Sequence, residues 1–131
     1  MPEYKYQSAL LIDDNEIDSF INKKLLQKTN FSQTIVEVYS AIKGLEFLRE
    51  NKDNPEKLPD IIFLDIMMPV MDGFDFLDEY DKLPQEIKSK PKIIMLSSTE
   101  SFKDLNRANS NKYVYKFLNK PLTEPALAAI H

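Results

Sequence analysis

Cysteine is absent from the 131-residue chain. That excludes disulfides, thiol nucleophiles and cysteine-based zinc sites. Histidine occurs once, as His131 at the end of the sequence, so neither a Ser-His-Asp triad nor a multi-histidine metal site can be built. Glycine occurs only twice, as Gly44 and Gly73. Both the GxxxxGK[ST] loop and the GxGxxG loop need closely spaced glycines, so a glycine-rich phosphate cradle is excluded. Positive charge is not in excess: Lys plus Arg number 17 against 21 Asp plus Glu, a formal net charge of −4. This argues against a basic nucleic-acid footprint. Long apolar runs are missing too. The first one, Ala9–Ile12, ends after four residues at Asp13, so the sequence shows no signal peptide and no membrane span. Hydrophobic residues at 43% are enough for a packed core. The length suits one domain, residues 1–131, in a soluble cytoplasmic protein.

Five short apolar runs are present. They are Ala9–Ile12, Thr34–Tyr39, Ile61–Leu64, Ile93–Leu96 and Tyr113–Leu118. The first, third and fourth are continuous, as in strands buried on both faces of a parallel sheet, whereas the second alternates and reads as half-exposed. Between the runs the spacing becomes helical. Ile17, Phe20, Ile21 and Leu25 share one face of a segment from Glu16 to Lys28, and Ala41, Leu45 and Leu48 mark the next. Phe74, Leu77 and Tyr80 follow Asp72, which stands at an N-cap position. Ser101–Ser110 is a weaker helix with Phe102 and Leu105 as its apolar face, since Asn106 and Asn109 are poor helix formers. Leu122, Leu127 and Ile130 belong to a short last helix, entered through Pro121 and Pro125. Asn51–Pro59 and Leu83–Pro91 read as polar loops, the second with room for a helical turn. Strand and helix thus alternate five times. The expected fold is α/β, an open doubly wound parallel sheet with helices on both faces.

In such sheets ligands bind beyond the carboxyl ends of the strands. Asp13-Asp14 follow the first run, Asp65 the third, Ser97-Ser98 the fourth and Asn119-Lys120 the fifth. Any one of these is an ordinary turn or cap residue, and Asp14 could simply cap the first helix. Together they are harder to explain as turns, because three neighbouring carboxylates repel unless a cation or proton neutralises them. Oxygen-only donors point to Mg²⁺, Mn²⁺ or Ca²⁺. Mg²⁺ takes a few carboxylates plus waters and a phosphate, and an ammonium and a hydroxyl would suit that phosphate.

The segment Asp65-Ile66-Met67-Met68-Pro69-Val70-Met71-Asp72-Gly73 resembles the D-x-x-M-P-x-M-D-G segment of response-regulator receiver domains, the CheY-like family of two-component signalling. Asp13-Asp14, Leu96-Ser97-Ser98 and Lys120-Pro121 complete the resemblance, which spans essentially the whole chain. It implies a flavodoxin-like (βα)5 fold with strand order 2-1-3-4-5. It also implies a phosphorelay function, with Asp65 accepting a phosphoryl group from a histidine kinase or a histidine phosphotransfer protein. By the same resemblance Asp14, Asp65 and the Met67 carbonyl bind Mg²⁺, with Asp13 acting through a water. Lys120 pairs with the carboxylate and then the phosphate, and Ser97 bonds a phosphate oxygen. Phe117, three residues before Lys120, is the aromatic that turns inward on activation, with Tyr115 as a second candidate by period 2.

Met67 and Thr99 take the two positions that flank the acyl phosphate, and an apolar Met67 is expected to slow its hydrolysis. Met67, Met68 and Met71 also read as gap fillers between loop and core. Gly73 reads as a position of positive φ or of close backbone approach. Departures from the family pattern are Ser97 where Thr is commoner, Ser98 where Ala or Gly is frequent, Ala108–Lys112 in place of a glycine-containing stretch, and a last helix that stops at His131.

The chain is therefore expected to be a signalling module, not a conventional enzyme, that catalyses its own phosphorylation and dephosphorylation. With no effector segment after residue 131, output would pass through the face made by the fourth helix, fifth strand and fifth helix to a protein target. The expected state is a monomer or a phosphorylation-dependent dimer, with no nucleic acid or membrane partner. Three alternatives stand beside this. A dehalogenase-type phosphatase needs a second Asp two residues past Asp65, where Met67 stands. A flavin protein needs a phosphate loop after the first strand, where Asp13-Asp14 would repel it. A phosphorylation-independent interaction domain is opposed by the complete acidic set and Lys120.

Overall fold

A computed structural model describes residues 3–98 and 102–130; Thr99, Ser101 and His131 lie outside the described residues. The strands are β1 (Tyr6–Ile12), β2 (Ser32–Val38), β3 (Ile61–Asp65), β4 (Lys92–Ser97) and β5 (Val114–Asn119). They form one parallel sheet in the order β2-β1-β3-β4-β5. The helices are α1 (Glu16–Lys28), α2 (Ala41–Glu50), α3 (Gly73–Asp81), α4 (Gln85–Lys88), α5 (Phe102–Asn109) and α6 (Glu124–Ala128). The one-turn α4 is the helical turn within the Leu83–Pro91 loop.

Because successive strand residues point to opposite faces, each continuous run feeds two cores. Leu10, Ile12, Ile62, Leu64, Ile93 and Met95 point toward α2 and α3 and meet Leu45, Leu48, Phe76, Leu77 and Tyr80. Ala9, Leu11, Ile61, Phe63, Ile94 and Leu96 point the other way and meet Leu26, Leu127 and Ile130. Each of the larger side chains among these, the Leu, Ile, Phe and Met residues, contributes about 1.5–3 kcal/mol by burial. Gly44 lets α2 lie close to β1, since a Cβ there would come within 2.7 Å of Ile12 Cδ1.

α3 begins as its residues require. Asp72 accepts from the Asp75 amide, and the Asp75 side chain accepts from the Asp72 amide, a reciprocal cap. α1 is capped by Asn15, whose side chain accepts from Ile17 and Asp18. This corrects the reading of Asp14 as a cap and leaves the Asp14 carboxylate exposed beside the strand ends.

α1 is rotated so that most of its apolar stripe faces outward: Ile17, Phe20 and Ile21 are 72%, 56% and 51% exposed, while Leu25 packs on the second core. The buried residues are Ser19, Asn22 and Leu26. Polar anchors set this rotation. Ser19 Oγ donates to Glu37 Oε2 on β2 at 2.7 Å, Lys23 Nζ lies 3.4 Å from Glu37 Oε1, and Asp18 is held by Lys120. Turning the helix by half would strip the half-buried Glu37 carboxylate of two partners.

α5 is also lightly seated. Ala108 is its buried residue, Phe102 is exposed and not part of a packed face, and Arg107 stacks over Phe74 at 3.9 Å. On β5 the pairing with β4 slips between Ile93 and Ile94, so that Val114 pairs with Ile93 and Lys116 with Ile94. This bulge turns Tyr115 away from Phe117, which overturns the period-2 expectation. Phe117 packs against the α2/α3 core, while Tyr115 stacks under Lys92 Nζ at 4.8 Å.

Candidate phosphoacceptor site

The register of the sheet brings the chemistry to one edge. Ile12 pairs with Leu64, Asp65 with Leu96, and Ser97 with Asn119, so each of these four strands ends within one residue of its neighbour. The Lys120 amide donates to the Ser97 carbonyl at 2.8 Å and carries the pairing one residue past β5. The Lys120–Pro121 peptide bond is cis. The pairing of the Lys120 amide with Ser97 places the Lys120 side chain over Asp13 and Asp65.

Carboxylate oxygens of Asp13, Asp14 and Asp65 all lie within 4.8 Å of one another. Asp13 and Asp65 are buried, whereas Asp14 is exposed. Lys120 Nζ donates to Asp13 Oδ2 at 2.8 Å and to Asp18 Oδ2 at 3.2 Å, and it lies 3.4 Å from Asp65 Oδ1. Asp13 Oδ1 accepts from the Asn15 amide at 2.9 Å. Burial pushes the Asp65 carboxyl up to about 6; the Lys120 charge opposes the rise and Asp13 adds to it. Burial also works against the Lys120 charge, but its hydrogen bond to Asp13 and the charges of Asp65 and Asp13 outweigh this and hold the ammonium above its ordinary range. Ser97 is fully buried at the end of β4.

The loop after Asp65 is shaped by its own backbone. The Gly73 amide donates to the Ile66 carbonyl at 2.9 Å. A Cβ on Gly73 would meet the Asp65 carbonyl oxygen at 2.9 Å. Close approach, not positive φ, is therefore what glycine supplies here, since no described glycine has positive φ. Val70 does take φ 70°, a strained value for a β-branched residue. The Met71 amide donates to the Pro69 carbonyl across it at 2.8 Å. Met68 is buried and Met71 packs on the core. Met67 is 62% exposed and fills no gap; its backbone holds the Asp65 carboxylate by a hydrogen bond.

The donor set suits a hard divalent cation. It contains only oxygens: Asp13, Asp18 and Asp65 share the Lys120 ammonium, and the Asp14 carboxylate stands beside Asp13 and Asp65 without contact to it. A surplus of buried negative charge of this kind is relieved by a cation. Asp18 is the member of the group that sequence reasoning missed. It is the first acidic residue of α1 that a helical turn brings back toward the strand ends, four positions after Asp14.

A family model for the response regulator receiver domain matches residues 9–131. The chain belongs to that family. A crystal structure of a two-component response regulator from Cytophaga hutchinsonii is 32% identical, with a TM-score of 0.88 over 94% of this chain and 92% of that one. The sensor histidine kinase CheAY of Helicobacter pylori is 31% identical over 93% of this chain, and this chain spans 14% of that protein. The receiver domain of the histidine kinase CKI1 from Arabidopsis thaliana, crystallised with Mg²⁺ and BeF₃⁻, is 25% identical. Its TM-score is 0.76, covering 92% of this chain and 85% of that one. The receiver domain described here is thus a component of two-component signalling with the sheet order and acidic pocket of its family. No helix among the described residues is long and apolar enough to cross a membrane.

Proposed function

We propose that the chain accepts a phosphoryl group on Asp65 and changes its protein contacts in response. The observation that carries this reading is the convergence of Asp13, Asp14 and Asp65 with the Lys120 ammonium at the carboxyl edge of the sheet. In the reaction an Asp65 carboxylate oxygen forms a bond to phosphorus. The phosphorus–nitrogen bond to a donor phosphohistidine breaks, and the imidazole leaves with the electron pair and takes up a proton. Asp14, Asp65 and the Met67 carbonyl are the proposed Mg²⁺ ligands, with Asp13 acting through a water. When bound, the ion offsets negative charge on the phosphoryl oxygens during transfer. Lys120 neutralises Asp65 beforehand and pairs with the phosphoryl oxygens afterwards. Ser97 donates its hydroxyl to one of them. The approach of Ser97 to the phosphoryl group gives Phe117 room to turn.

The light seating of α5, held by Ala108 and the Arg107–Phe74 stack, supports a responsive α5/β5/α6 face as the output surface. The outward Ile17, Phe20 and Ile21, beside the site, support α1 as the surface met by the donor, a sensor histidine kinase or a histidine phosphotransfer protein. A cytoplasmic location, self-catalysed dephosphorylation and a monomeric or phosphorylation-dependent dimeric state complete the reading. Incubation with Mg²⁺ and acetyl phosphate, followed by mass measurement, tests it. One added phosphoryl group is expected, and none in Asp65→Asn. No gain from any small donor would replace this reading with a phosphorylation-independent interaction module.

A further inference from the structure

Lys120 is shared among three carboxylates. An ammonium has three N–H groups, and here Asp13 Oδ2, Asp18 Oδ2 and Asp65 Oδ1 stand 2.8, 3.2 and 3.4 Å from the nitrogen. Asp65, the proposed acceptor, is the most distant of the three. Asp18 belongs to the first turn of α1, and its carboxylate is partly exposed. With Ile21, Asn22, Ser98, Lys120 and Pro121 it lines a cavity of about 250 Å³ between α1 and the end of β5. Its backbone is already satisfied by the Asn15 cap. The reach of its side chain to Lys120 is therefore not needed to start the helix.

We infer that Asp18 is a positioning residue that restrains Lys120 on the α1 side of the site and thereby slows phosphoryl capture at Asp65. This rests on the phosphoacceptor reading above. A phosphoryl group arriving on Asp65 needs N–H donors from Lys120, and one of these is committed to Asp18. The Asp18 charge also stands close to the path of an anionic donor and repels it. Removing the Asp18 charge frees the ammonium to approach Asp65. The same change makes Lys120 a stronger competitor for the Asp65 carboxylate, one of the proposed cation ligands, so metal affinity and phosphoryl uptake move in opposite directions. A purely structural role for Asp18 would not produce that pair of effects.

The experiment compares wild type, Asp18→Asn, Asp18→Ala and Asp18→Glu. Uptake from acetyl phosphate is followed by mass at saturating Mg²⁺; the Asp65 oxygen bonds phosphorus as the phosphorus–oxygen bond to acetate breaks and acetate leaves with the electron pair. Mg²⁺ affinity is measured by calorimetry on the metal-free proteins. Since a partly solvated charge pair is worth only modest energy, uptake in Asp18→Asn and Asp18→Ala is expected to rise about three- to tenfold. Their Mg²⁺ dissociation constants should rise about two- to fivefold for the same reason. Asp18→Glu, which keeps the charge, should return toward wild type in both measurements. Unchanged or slower uptake in the Asn and Ala variants, or a Glu variant as fast as they are, overturns the positioning role. If wild type takes up phosphoryl while the variants match it, only this inference falls. If wild type takes up none, the phosphoacceptor reading falls and takes the inference with it.

Discussion

α1 and α3 flank the same site and seat themselves by opposite means. α3 buries Phe74, Phe76, Leu77 and Tyr80, a stripe of large apolar side chains pressed onto the sheet. α1 buries Ser19, Asn22 and Leu26 and turns Ile17, Phe20 and Ile21 to the outside. One helix is fixed by area removed from water, which is strong and non-directional. The other is fixed by directed polar contacts, Ser19 to Glu37 and Asp18 to Lys120, which specify rotation and leave an apolar surface unspent. The difference teaches that helical spacing identifies a stripe without saying which way it points. On α3 the stripe serves the core. On α1 it is available to another molecule.

The comparison can be broken most sharply at Phe76, fully buried on α3. Phe76→Ala should lower unfolding free energy by about 3–5 kcal/mol, measured by urea titration; a loss near zero would mean that α3 is not seated as described.

Between the two helices, Asp65 carries the electrostatic strain of the site. Its folded pKa of about 6 exceeds the ordinary 3.8, so the folded state holds the proton more tightly. In the metal-free protein Asp65 should therefore contribute a loss of stability as pH rises from about 4 through about 6. Asp65→Asn should abolish that slope and be the more stable protein at neutral pH. Added Mg²⁺ should raise the melting temperature of wild type and leave Asp65→Asn unmoved.

A smaller effect belongs to Tyr80. Its hydroxyl is buried without a hydrogen-bond partner among the described residues, and burial, with Tyr113 nearby, drives its pKa upward. Tyr80→Phe keeps the ring contacts with Phe76 and Tyr113 and should gain about 1 kcal/mol, by removing an unmet polar group. A loss on thermal melting would show that the hydroxyl has a partner.

The smallest stability change is expected on α1. Phe20→Ala should stay within about 0.5 kcal/mol of wild type, as exposed positions do. It should nevertheless weaken phosphoryl transfer from a phosphohistidine protein, while uptake from acetyl phosphate is unchanged. Equal transfer from both donors would remove α1 as the docking surface.

Much of the architecture could be read from the chain alone because its signals are local. Ile61–Leu64 and Ile93–Leu96 are continuous apolar runs, and only a strand covered on both faces uses such a run. Asp13, Asp65 and Ser97 each follow a run directly, and Asp14 and Lys120 one residue later, so their placement at one edge follows from the parallel strands. Asp72 announced the start of α3 because a cap is a contact between near neighbours.

What the chain could not reveal depends on contacts between distant residues. The rotation of α1 is decided by Glu37 on β2 and by Lys120, far along the chain. The face taken by Tyr115 is decided by a slip in pairing between β4 and β5, which no period-2 count contains. The role of Gly73 is decided by how near the Asp65 and Ile66 backbone passes. Asp18 joins the acidic group only because Lys120 reaches it across the sheet edge. Which residues are apolar, where elements begin and which acids stand at strand ends follow from the order of residues, since periodicity and capping act over a few positions. The tertiary structure alone decided which stripe faces water and how many carboxylates share one ammonium, because directed bonds between remote elements set rotation and register.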